Sequence, residues 1–171
     1  GPKDGGDALA HYLQVVADKT GSLIATSARF GALLSGADKS IVETLTKFGE
    51  KIGIAFQLAD DVIDIASDSS QSGKTPGTDL KEGVPTLVTL QIMKSDRPED
   101  QVLKALLSAP MDDATVARVI PQLRHHQALK DAKKYLHTLA DESKSLLSTL
   151  PTGPARSALE NLCVAIVDRT A

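Results

Sequence analysis

Four aspartates crowd one apolar run, Asp60, Asp61, Asp64 and Asp68 in FQLADDVIDIASD. On a helix turning about 100° per residue, these four and Gln57 share one arc of about 100°. Ile54, Ala55, Leu58, Ala59, Val62, Ile65 and Ala66 take the opposite side. Such a helix has a core-facing side and an anionic stripe. Like charges four residues apart destabilise a helix by about 0.2–0.5 kcal/mol per pair, and Asp is a mediocre helix former. A solvated face usually mixes signs, yet no Lys or Arg interrupts this stripe between Gly53 and Gly73. A plain solvated face is one reading; a stripe that holds a cation is the better one. All-oxygen donors suit Mg²⁺, a hard ion that keeps several waters and is shared between one or two carboxylates and substrate phosphates. No His or Cys lies near enough to make a zinc site.

Phosphate would need cationic partners, and two places supply them. Lys19 and Thr20 lie among small residues in the first helix, and Lys74 follows the acidic run in GKTPGTDLKEG, with Asp79 and Lys81 beyond it. The other acidic doublet, Asp112-Asp113, precedes ATVARVI and reads as a helix cap.

The elements that must position these groups are helices. Asp7 is a good N-cap for a helix from Ala8 to Gly36, and Gly21 and Gly31 inside it imply close packing or a kink. Ser40, with Glu43 as its box partner, starts a second long helix from Ile41 to about Ala66. The Ser-, Gly- and Pro-rich stretch 67–85 reads as one loop, of a length that is often functional. Shorter helices follow in TLVTLQIMK and SDRPEDQVLKALLSA. One or two more follow in MDDATVARVIPQLRHHQALKDAKKYLHTLADESKSLLSTL, interrupted near Pro121, and the last in GPARSALENLCVAIVDR. Strand signals are nearly absent. The expected fold class is all-α, a helical bundle over residues 1–171 as one domain.

Composition narrows the function classes. The chain has 171 residues, is 42% hydrophobic and only 3% aromatic, and lacks Trp, so its core is built from Leu, Ile, Val and Ala. A net charge of -3 without a basic patch argues against nucleic-acid binding. Cys163 is the one cysteine, which rules out a disulfide within the chain and fits a reducing, cytoplasmic setting. It lies in an apolar stripe and reads as a small core residue. No apolar run approaches the roughly 18 residues of a membrane span.

Taken together, KTGSL, FQLADDVIDI, GKTPGTDLKEG and LPTGPARSALENLCVAIVDR resemble the C-terminal half of trans-type polyprenyl diphosphate synthases, over essentially the whole chain. A bare DDxxD is a weak signal; preceded by FQLA, followed by GK…DLKEG and placed after KTGSL, it is a strong one. The resemblance implies a helical bundle of the isoprenoid synthase type and head-to-tail condensation of isopentenyl diphosphate with an allylic diphosphate, dependent on two or three Mg²⁺ ions in the complete site. Asp60, Asp61 and Asp64 match the second aspartate-rich motif. Asp60 would coordinate metal directly, and Asp61 and Asp64 through water or by orienting the site. Lys19 and Lys74 would hold the allylic diphosphate, Thr20 and Gln57 would line the pocket, and Asp79 would anchor a lysine or the loop. One departure is Val84, where the family often has Lys.

A second DDxxD and an upstream Arg-Arg pair are absent from the sequence. The chain is therefore expected to be the C-terminal portion of such an enzyme, inactive by itself, with apolar helix faces that drive homodimerisation or association. The alternatives are a short non-catalytic subunit that binds a catalytic prenyltransferase partner, a related metal-dependent terpene cyclase, and a structural helical domain. A long prenyl product would bring loose contact with membrane lipid, although nothing encodes an anchor.

Overall fold

The computed structural model describes residues 5–67 and 76–170, and every regular element among them is helical, as the all-α reading expects. Asp68 and Lys74 lie outside the described residues.

Helix α1 (Ala8–Val16) is opened by Asp7, whose carboxylate accepts from the Leu9 amide at 3.0 Å. A π-helical turn, Ala17–Gly21, leads into α2 (Ser22–Leu34). The expected long first helix is therefore three pieces ending before Gly36, which takes a φ of 74°. Helix α3 (Lys39–Ala66) starts two residues earlier than its predicted first turn.

The stretch 67–85 is not all loop, because α4 (Thr78–Lys81) forms inside it. Its cap comes from far away in sequence. The Asp64 carboxylate accepts from the amides of Thr78 and Asp79 at 3.1 and 3.2 Å, so no local residue signals the helix. Helix α5 (Leu87–Lys94) begins at a reciprocal Thr86–Thr89 capping box. It is followed by α6 (Gln101–Leu107), α7 (Asp113–His125), α8 (Gln127–Leu146) and α9 (Pro154–Asp168). Asp112 caps α7 by accepting from Thr115 at 2.7 Å, as the Asp112-Asp113 doublet predicts.

The interruption expected near Pro121 falls instead at His126. Helix α7 runs through the proline because Val116, Val119, Ile120 and Leu123 bury one face on both sides of it. That burial outweighs the roughly 3 kcal/mol of an interior proline. His126 is extended, with ψ 146°. Its Nδ1 accepts from the Ala128 amide at 3.0 Å, so its side chain opens the next helix, and its Nε2–H donates to Asp100 at 2.9 Å. Asp100 is fully buried, and hydrogen bonds from Ser95, His126 and Arg97 hold its carboxyl at about 2, below the usual range.

The chain divides into two compact units. One gathers the described residues of Gly1–Tyr12 and Asp60–Lys134 with Thr170; the other holds Leu13–Ala59 and Tyr135–Arg169. Val62, Ile65, Val88, Ile92, Val119 and Leu123 are buried side chains of the first. Phe48, Ile52, Leu58, Leu136 and Leu147 are buried in the second, as is Cys163, in keeping with its reading as a core residue. Each fully buried aliphatic side chain stabilises the fold by about 1.5–3 kcal/mol relative to exposure.

In the second unit α3 approaches the chain around the π-turn backbone to backbone. A methyl on Gly49 would lie 2.7 Å from the Ala25 Cα, and one on Gly53 would lie 2.9 Å from the Gly21 Cα and 3.1 Å from the Thr20 carbonyl oxygen. The spacing of four residues puts both glycines on one face of α3, and Gln57 follows at the same spacing.

Candidate functional site

The first unit brings four of the predicted acidic residues into one group. Asp60 is half-buried on α3. Asp61 and Asp64 are only 7% exposed. Asp79, on α4, is carried to Asp64 by the two amide bonds described above and by the Gly77 amide, which donates to the Asp64 carbonyl at 3.0 Å. Burial first, then the charges of Asp64, Asp61 and Asp60, raise the Asp79 carboxyl to about 6. Asp79 thus feels the charge of the other three carboxylates.

Tyr12 is the partner that the sequence reading missed. Its hydroxyl donates to Asp61 Oδ2, although the two residues are 49 positions apart. Burial, reinforced by the Asp61 charge, pushes the phenol above its usual range, so it remains a donor at any physiological pH. The only available signal was compositional, a tyrosine in a chain that has two. Tyr12→Phe leaves a nearly buried carboxylate short of one donor. It is expected to lower stability by about 1–3 kcal/mol, read as the midpoint of urea unfolding. An unchanged midpoint would show that the hydroxyl does not support Asp61.

The second unit places Lys19 and Thr20 in the π-helical turn. Such turns insert one extra residue, re-aim the side chains they carry and are frequent at functional sites. Lys19 is exposed. Thr20 Oγ1 donates to Gln57 Oε1 at 3.1 Å, so two residues predicted to line one pocket meet directly. The close approach of Gly53 to the Thr20 carbonyl makes that contact available.

The donor chemistry of the acidic group fits Mg²⁺. It offers oxygen alone, and among the described residues no three His, Cys, Asp or Glu side chains are arranged as a ready-made metal cage. An ion that keeps its waters and shares its remaining positions with phosphate does not require one.

Comparison with known proteins places the chain in a family. Residues 3–123 match the family model described as Polyprenyl synthetase. The nonaprenyl diphosphate synthase of Mycobacterium tuberculosis is 43% identical over 171 residues, covering 99% of this chain and 50% of that protein. Heptaprenyl diphosphate synthase component 2 of Geobacillus stearothermophilus is 34% identical over 94% of this chain and 50% of its own length. A crystal structure of geranylgeranyl pyrophosphate synthase from Corynebacterium glutamicum, complexed with calcium and isoprenyl diphosphate, superposes with a TM-score of 0.91 at 37% identity, covering 99% of this chain and 53% of that one. The chain spans about half the length of the curated relatives it matches. With most of its residues matched by the family model and its helices superposing on a solved synthase, the chain belongs to the polyprenyl synthetase family.

Proposed function

We infer that this chain is the part of a polyprenyl diphosphate synthase that carries the second aspartate-rich motif, the whole protein being a Mg²⁺-dependent prenyltransferase. The observation that carries this reading is the gathering of Asp60, Asp61, Asp64 and Asp79, with Asp79 raised to about 6 by burial and by its neighbours. The similar synthase solved with calcium and isoprenyl diphosphate supports it. In the reaction the C–O bond of an allylic diphosphate breaks, the isopentenyl diphosphate double bond attacks the allylic carbon, and a proton leaves. Bound Mg²⁺ supplies positive charge that stabilises the departing diphosphate.

The chain's own residues divide the rest. Asp60 would hold the metal directly. Asp61, oriented by Tyr12, and Asp64, oriented by the α4 amides, would hold it through water or orient the site. Lys19 and Lys74 would hold the allylic diphosphate, Thr20 and Gln57 would line the pocket, and Asp79 would anchor a lysine or the loop. By itself the chain lacks the first aspartate-rich motif and is expected not to turn over. The test is thermal unfolding with Mg²⁺ and inorganic pyrophosphate. A rise in melting temperature that Asp60→Ala removes is expected; no shift in either protein ends the metal reading.

A second reading, a subunit that works with a catalytic partner, is favoured by the relative named as component 2. Association has a surface to use. Leu23, Phe30, Leu33 and Leu34 are exposed along α2, with Leu34 at 89%, an apolar face of the kind that marks an interaction site. Light scattering is expected to give a particle larger than one chain; a strict monomer at high concentration would count against association. No helix among the described residues is long and apolar enough to cross a membrane. A cytoplasmic location, with loose lipid contact through a long product, belongs with the synthase reading.

A further inference from the structure

The carboxyl end of α3 has no glycine to close it. Arg124, on α7, does that work. Its Nε donates to the Ile65 carbonyl at 3.0 Å and a terminal guanidinium nitrogen donates to the Ser67 carbonyl at 2.6 Å. These belong to the last turn, where carbonyls lack helical partners and a cation is favoured. Ile65 directly follows Asp64 in the chain.

The same face of α7 reaches the other side of the acidic corner. Val116, Ile120 and Arg124 are spaced by four residues and so share one face. A methyl on Gly77 would come within 2.7 Å of Val116 Cγ1 and 3.3 Å of Ile120 Cδ1. Lys81, the last residue of α4, pairs with Asp113 at the start of α7 at 2.5 Å. Helix α7 therefore braces both the end of α3 and the turn whose amides bind Asp64.

We propose that Arg124 is a positioning residue for the acidic site: by fixing the end of α3 it holds Asp64 in register with the amides of Gly77, Thr78 and Asp79. This rests on the Mg²⁺–diphosphate reading of the site. Arg124→Ala removes both donors, while Arg124→Lys keeps the charge but lacks the planar fork. Ile92→Val, a buried change elsewhere in the same unit, serves as a control for general loss of stability. Two measurements are made on each variant, hydrogen exchange at residues 77–79 and calorimetric affinity for Mg²⁺ with inorganic pyrophosphate. Arg124→Ala is expected to speed exchange at those amides about tenfold and to weaken binding about tenfold, with Arg124→Lys between it and wild type and Ile92→Val close to wild type. If Arg124→Ala does not fold, Arg124→Lys against Ile92→Val carries the comparison. Exchange and binding equal to those of the control would overturn the proposal while leaving the site reading intact. A wild-type chain that binds no Mg²⁺–pyrophosphate would instead end the site reading, and this role with it.

Discussion

Gly49→Ala is expected to destabilise the protein, while Gly31→Ala, the same change in another helix, is expected to stabilise it. Alanine is the better helix former by about 0.5–1 kcal/mol. At Gly31 nothing lies within 4 Å of the added methyl, so that gain is realised. At Gly49 the methyl meets the Ala25 Cα at 2.7 Å, the Ile24 carbonyl oxygen at 2.8 Å and the Ala25 nitrogen at 2.9 Å. All three are backbone atoms and cannot swing aside as a side chain would. Overpacking of this kind costs about 1–3 kcal/mol, more than the propensity gain. At about 2–4 °C per kcal/mol for a chain of this size, the two variants should move the melting temperature in opposite directions. A rise for Gly49→Ala would mean that α3 does not approach the Ile24–Ala25 backbone that closely.

Gly21 and Gly31 mark what the sequence could and could not reveal. Both read as signs of close packing or a kink, yet Gly21 alone is packed, its added methyl lying 3.2 Å from the Glu50 carbonyl oxygen. A pattern along one helix identifies a face but not what lies opposite it. The amphipathic stripe of α3 was legible because it is local, repeating with the helical period. The cap on α4 was not, since its donors and its acceptor lie 14 and 15 positions apart. Tyr12 and Arg124 escaped for the same reason, each reaching α3 across 49 residues or more. Pro121 misled in the other direction, because a local helix breaker was outweighed by burial that the local pattern does not measure. The acidic residues could thus be named from sequence, but the groups that orient them are long-range partners that only the fold brings close.

Protons and Mg²⁺ should each lessen the repulsion that Asp79 feels from Asp64, Asp61 and Asp60, and each should hinder the other. The Asp79 carboxyl titrates at about 6 in the folded chain against a reference of 3.8. The folded state therefore binds more protons than the unfolded state between about pH 4 and 6. For a carboxylate raised in this way, stability falls as pH rises through that window, and the destabilisation is fully present above it. The metal-free protein should gain stability from this group on acidification from pH 7 to 5, and Asp79→Asn should remove that part of the slope. At pH 7 and above, where Asp79 is ionised, Mg²⁺ with inorganic pyrophosphate should stabilise the folded chain. Present at a hundred times its dissociation constant, such a ligand stabilises the folded state by about 2.7 kcal/mol. Asp60→Ala is expected to abolish that increment, the largest functional effect of any substitution considered. The increment should shrink toward pH 5 in the wild-type chain, where the proton already occupies Asp79, and shrink less in Asp79→Asn. Melting curves for the three proteins at pH 5 and 7, with and without Mg²⁺ and pyrophosphate, decide the matter. Equal increments in wild type and Asp60→Ala would separate the acidic stripe from metal binding. Equal pH slopes in wild type and Asp79→Asn would show that the four carboxylates do not share one electrostatic environment.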